Sequence, residues 1–218
     1  YLNVNYLEFT HQLAGLPYPP LYTKFYPDKK EMVWARKKRR GMNGPVIHWV
    51  LSGSSVHKTW PFLDQAVARI LVKYPDCHIV MTGDDLCKVL QMGWENEQRV
   101  HQWAGEKIRN TLTFATAQAD LVIGPETGVM NAVGLEAVPK IIFLSHGSRE
   151  NISKHWFNCI SLEPEDCACF PCHRMHYTWH FCHRDEPTGT ALCQAKISVD
   201  ALEKAVELAM NKITQKAA

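Results

Sequence analysis

Three absences bound this chain. No apolar run approaches the roughly 18 residues that a membrane-spanning helix needs, and no secretory signal is visible. A surplus of one charge is missing: 24 Lys and Arg stand against 22 Asp and Glu, so no nucleic-acid partner is expected. Internal repeats and low-complexity tracts are also missing, as is the GxxxxGK[ST] phosphate loop. Cysteine is plentiful at eight residues. The rest of the chain has the size and pattern of a core-bearing domain, so a secreted disulfide scaffold is set aside and a reducing cytoplasm is the expected compartment. The chain opens on Tyr1 rather than methionine, as a processed or truncated piece would.

What is present is an alternation of apolar runs and amphipathic stretches. Residues 46–51, 76–82, 121–123 and 139–144 read as strands covered on both faces. A helix is predicted from Asp28 to Arg40, stopping at Gly41. Thr59-Trp60-Pro61 starts another, with Phe62, Leu63, Ala66, Val67, Ile70 and Leu71 at helical spacing. A helical region through Cys87, Val89 and Leu90 is read as resuming from Glu95 to Trp103, and Asn110 to Ala119 forms the next helix. The pattern breaks after Ser145 and returns in a last helix capped by Ser198. This order predicts an α/β fold: a Rossmann-like parallel sheet with helices on both faces, plus a Cys/His-rich irregular segment.

The amino-terminal stretch differs. Leu16-Pro-Tyr-Pro-Pro-Leu-Tyr22 suits neither regular helix nor central strand. Residues 1–40 therefore read as a connector, 41–218 as the main domain, and 159–197 as a Cys/His-rich insertion within it. The basic run Arg36 to Arg40 reads as a solvated helix end, with an anionic membrane surface as the other reading.

Chemistry-bearing residues gather where strands are predicted to end. Gly53-Ser54-Ser55 with Lys58 suits phosphate, as a small hydroxyl loop and a lysine at a helix start; alone it fits a solvated turn equally well. Gly83-Asp84-Asp85 offers a carboxylate either to ribose hydroxyls or to a helix amino terminus. Glu126-Thr127-Gly128 follows the run Leu121–Ile123 and opens a small-residue helix. His146 lies past the next strand, at the crevice or in a turn bonded to backbone. Ligands of such folds sit at the carboxyl ends of the strands, so convergence of these loops is the informative feature.

Taken together, Ser52-Gly53-Ser54-Ser55, Lys58-Thr59-Trp60-Pro61, Thr82-Gly83-Asp84-Asp85, Glu126-Thr127-Gly128 and Val138-Pro139-Lys140-Ile141-Ile142 resemble glycosyltransferase family 9, the heptosyltransferase group. The order and distances match over residues 40–145. The resemblance implies a GT-B architecture, two Rossmann-like domains with the active site between them, of which this chain is the carboxyl-terminal, donor-binding half. It places Ser54, Lys58, Thr127 and Gly128 on the donor phosphates, Asp85 on the ribose and Glu126 on sugar hydroxyls. Family members usually carry Asp where this chain has Glu126, and often His where it has Asn131, so ADP-heptose is not assumed.

The resemblance further implies an inverting, metal-independent transfer from a nucleotide-diphosphate sugar to a glycan or lipid-linked acceptor. The cytoplasm, with peripheral contact at the inner face of the membrane and a role in lipopolysaccharide biosynthesis, is the expected setting. The catalytic base belongs to an amino-terminal acceptor domain that residues 1–40 are too short to form, so no catalytic residue is assigned here. A non-catalytic nucleotide-binding module, or a zinc-stapled interaction domain, are the alternatives.

Downstream, Cys169-Phe-Pro-Cys172 forms a knuckle that Cys182 and Cys193 could complete as a tetrahedral zinc site. Disulfides and buried thiols are the rival readings. Similar stretches in family relatives favour a structural staple for a long loop.

Overall fold

The computed structural model describes residues 4–17 and 24–217. Part of the Pro/Tyr-rich connector, residues 18–23, therefore lies outside the described residues. Two helices come first, α1 (Tyr6–Leu13) and α2 (Lys29–Arg39). The strands are β1 (Val46–Val50), β2 (His78–Thr82), β3 (Val100–Gln102), β4 (Leu121–Pro125), β5 (Lys140–Phe143) and β6 (Cys159–Leu162). Helix α3 (Leu63–Lys73) joins β1 to β2, α4 (Ile108–Ala117) joins β3 to β4, and α5 (Gly128–Gly134) joins β4 to β5. The short α6 (Arg149–Ile152) and α7 (Leu192–Ala195) precede the long α8 (Val199–Ala217).

All five strand pairings are parallel, in the order β3-β2-β1-β4-β5-β6. The order reverses between β1 and β4, which pair as Ile47 with Leu121 and Trp49 with Ile123. At that reversal the loops leaving the two strands turn to opposite faces and open a crevice.

Alternate side chains on each strand serve different cores. Ile47, Trp49, Ile79, Met81, Leu121, Ile123, Ile141 and Phe143 face α3 and α8, where they meet Val67, Ile70, Leu202 and Val206. Trp60 stacks on Phe143 at 5.0 Å and anchors its indole N–H on the carbonyl of Ile197 at 2.9 Å. On the other face, Val50, Val122 and Ile142 pack with Leu7 of α1, Val133 of α5 and Trp156. Farther along that face, Val46 and Val80 meet Ala35 of α2 and Phe114 of α4. A two-sided burial of this kind is why the strands read as continuous apolar runs.

Several elements depart from the sequence expectation. The helix predicted over 95–103 is a turn followed by β3, held by the pairing of Ile79 with Val100. The preceding segment, Asp85–Gln91, is a 3-10 helix capped by Asp84. Within 159–197, expected to be irregular, β6 extends the sheet by pairing with β5. Helix α2 forms where a helix is expected: Asp28 and Glu31 form a reciprocal capping box, and Ala35 is fully buried. Helix α1 is likewise docked, since Asn5 donates to the carbonyls of Glu150 and Asn151, both at 3.1 Å. The described part of residues 1–40 thus packs on the Rossmann-like body.

Candidate functional site

A cleft of about 480 Å³ opens at the carboxyl ends of β1 and β4, where the strand order reverses. Its volume lies within the range of ligand pockets. Four segments supply the wall: Ser52, Gly53, Ser54 and Lys58 after β1, Gly83 and Asp84 after β2, Glu106, Ile108 and Thr111 after β3, and Glu126, Thr127, Gly128 and Asn131 after β4. Of the residues singled out in sequence, Ser54, Lys58, Glu126, Thr127, Gly128 and Asn131 therefore meet in one place.

Lys58 ends a single 3-10 turn, Val56–Lys58, and is 7 % exposed. Burial pushes its ammonium below the usual lysine range, against the pull of Glu126. Close approach explains Gly53: a Cβ there would lie 2.6 Å from Cδ of Lys58 and 3.1 Å from Cγ2 of Thr127. The lysine stem and the threonine methyl thus occupy space that any larger residue would claim. Thr127 is the N-cap of α5, its hydroxyl accepting from the Met130 amide at 3.4 Å.

Glu126 is turned to the loop after β5. Its Oε1 accepts from the amides of Ser145 at 3.0 Å and Gly147 at 3.3 Å, while Oε2 accepts from the Ser145 hydroxyl at 3.1 Å and contacts Nδ1 of His146. Burial raises the Glu126 pKa, but the His146 ring and the two amides outweigh it and hold the carboxyl below its ordinary range. His146 does not line the cleft; it backs the carboxylate that does.

Asp85 is brought elsewhere. Its side chain is 80 % exposed and paired with Lys88 at 2.7 Å, whereas Asp84 lines the cleft and accepts from the Cys87 amide. One step of register separates the two, and a 3-10 helix start is too short for periodicity to resolve it.

The Cys/His segment forms a separate cavity of about 30 Å³ lined by Cys169, Cys172, Cys182, Cys193, His57 and His176, among others. All eight cysteines are free thiols. Cys172 Sγ lies 3.5 Å from His176 Nε2, and Cys167 and Cys169 are 3.5 Å apart. Burial, reinforced by neighbouring thiols, pushes Cys169 up to about 11 and raises Cys182 and Cys193 as well. Among the described residues, the group of three or more ligand side chains whose donor atoms all lie within 4.8 Å is instead His57, Glu126 and His146. Nothing in the sequence marks His57; as a loop residue near Ser55 it carries no pattern.

No family model and no curated protein matches the chain. Solved structures do match. Heptosyltransferase II of E. coli, an ADP-heptose lipopolysaccharide enzyme, superposes with a TM-score of 0.68 at 12% identity, over 94% of this chain and 57% of that one. A family 9 glycosyl transferase from Veillonella parvula DSM 2008 gives 0.62 at 15%, over 87% and 54%. The dodecameric iron-containing heptosyltransferase TibC, solved with ADP-D-beta-D-heptose, gives 0.55 at 12%, over 78% and 47%. The chain spans about half the length of these structures. Its fold is that of a Rossmann-like half of a GT-B glycosyltransferase.

Proposed function

We propose that this chain is the donor-binding domain of an inverting, metal-independent glycosyltransferase that uses a nucleotide-diphosphate sugar. The observation that carries the reading is the meeting of Ser54, Lys58, Thr127 and the Gly128 amide at the β1/β4 crevice. Inverting transfer needs a base for the acceptor hydroxyl and charge stabilisation for the departing diphosphate. Lys58 supplies a desolvated positive charge for the second task, and the Ser54 and Thr127 hydroxyls with the first amides of α5 supply donors. We assign the ribose contact to Asp84 in place of Asp85, because Asp84 lines the cleft. Glu126 has both oxygens committed to the loop after β5, so it shapes the wall that meets the sugar.

The base for the acceptor comes from a second Rossmann-like domain. The donor half therefore binds nucleotide and transfers nothing by itself. The acceptor is a glycan or lipid-linked sugar, reached at the inner face of the membrane, with the basic end of α2 as the surface contact.

The thiols of Cys169, Cys172, Cys182 and Cys193 are assigned to a structural metal. The donor set suits zinc or iron, and a neighbouring fold is an iron-containing protein. The thiols ring one cavity without three of them standing at mutual coordination distance, so side-chain rotation would close the set on an ion.

Calorimetry with nucleoside diphosphates tests the donor reading. Binding is expected, and Lys58→Ala should weaken it by about 10- to 100-fold, the worth of one hydrogen bond to a charged group. Equal affinity in the variant would remove Lys58 from the phosphate site.

A further inference from the structure

Behind the cleft wall two histidines that the donor reading leaves unused stand against Glu126. His57 sits at the middle of the 3-10 turn after β1 and is 1 % exposed, yet neither of its ring nitrogens has a hydrogen-bond partner. Leaving a buried polar atom without a partner is costly. Two on one ring point to a missing ligand. The His57 ring centroid lies 5.0 Å from that of His146, and donor atoms of His57, Glu126 and His146 fall within 4.8 Å of one another. These side chains leave three different loops, after β1, β4 and β5, so the sheet itself brings them together.

We propose that His57, His146 and Glu126 form a divalent-cation site that takes zinc and borders the cysteine cavity without using its thiols. Two imidazoles and one carboxylate are a donor set for borderline metals. The carboxylate is already oriented for the purpose: the Ser145 and Gly147 amides hold Oε1, while Oε2, which also accepts from the Ser145 hydroxyl, points to His146. Ligating carboxylates carry such outer hydrogen bonds. On binding, the ion enters between His146 Nδ1 and Glu126 Oε2, with His146 held as the neutral ring that carries its proton on Nε2. One of the two ring nitrogens of His57 gains a partner in the ion.

The position also indicates what the ion does. Glu126 lines the cleft, and His57 lines the cysteine cavity. An ion held between them ties the cleft wall to the Cys/His segment. It lies behind the carboxylate, away from the diphosphate, so the site is compatible with a transfer that uses no metal at the leaving group.

Titration of the intact, reduced protein with Co²⁺ tests the site. Thiolate-bound Co²⁺ shows ligand-to-metal charge transfer in the near ultraviolet, whereas nitrogen- and oxygen-bound Co²⁺ shows only visible bands. The expected result is about one equivalent whose visible absorption grows with no accompanying charge transfer. His57→Ala should abolish that equivalent and leave the thiolate band in place. Visible absorption that rises only in step with charge transfer in the wild-type protein would overturn the proposal. That measurement decides even where His57→Ala fails to fold. Zinc content is the second readout: one ion fewer in a folded His57→Ala variant supports the site, and equal content sinks it. Neither readout involves nucleotide, so the result is independent of donor binding.

Discussion

Lys140 is the most deeply placed cation of the sheet, 0 % exposed at the start of β5. Its ammonium donates to the carbonyls of Gly134 at 3.3 Å, Glu136 at 2.9 Å and Phe157. These carbonyls close the carboxyl end of α5 and the turn before β6, so one side chain serves three acceptors, of which Gly134 also takes the Phe157 amide at 3.0 Å. Burial lowers its pKa to about 8. Lys140→Met keeps the volume and removes the donors, and should cost about 1–3 kcal/mol in urea unfolding at pH 7. The sign of the pH effect is set by the lowered value. Between about pH 8 and the ordinary lysine value of 10.5 the unfolded chain holds the proton that the folded chain has lost. Wild type should therefore gain on Lys140→Met as pH rises through that window, by at most about 1.4 kcal/mol per unit. A difference that stays flat there would mean that the buried ammonium keeps its proton.

At the scale of elements, the strand–loop–helix unit of β1 sets the cleft. Gly53→Ala would drive a methyl group into Cδ of Lys58 and Cγ2 of Thr127, at 2.6 and 3.1 Å. The lysine must swing away, so nucleoside-diphosphate affinity should fall several-fold while the circular dichroism spectrum is unchanged. Unaltered affinity would show that Lys58 has room to spare. Elements also differ in how plainly the sequence writes them. Strands β1, β4 and β5 are legible because double-sided burial makes them unbroken apolar runs, and Trp60-Pro61 marks the approach to α3. Strand β3 is not: Val100-His101-Gln102 is three residues long, and its partner Ile79 is remote in sequence. Strand β6 hides within Cys159-Ile-Ser-Leu162, where every residue is half-buried at the sheet edge. The choice between Asp84 and Asp85, and the burial of His57, depend on how a turn closes, and no periodicity records that.

For the whole molecule, five histidines with lowered values bear on acid stability, and His48, His57 and His101 are shifted furthest. His48 is fully buried against Thr82, its Nε2 2.7 Å from the hydroxyl, and burial lowers its pKa to about 3. Burial, with the charge of a neighbouring histidine, lowers His57 and His101 to about 4. A depressed folded value means that the stabilisation is complete above the unfolded value of 6.5 and is lost as pH falls towards 4. With chelator present, the urea midpoint should drop steadily from pH 6.5 to 4.5, before carboxylates with lowered values, such as Glu97 at about 2, begin to contribute. His101→Gln should flatten part of that slope. A midpoint constant over the interval would show that these rings titrate alike in the folded and unfolded chains.

The strand order has a kinetic consequence. Strand β1 meets β2 across a single helix, but its other neighbour, β4, arrives only after β2 and β3 have been made. Pairings that close long loops are slow to form. The seam between β1 and β4 is therefore late to knit, and the cleft lies on that seam. In stopped-flow refolding, helical signal should therefore precede any competence to hold a ligand. A nucleotide that binds the finished cleft would act as a latch on the last step of assembly.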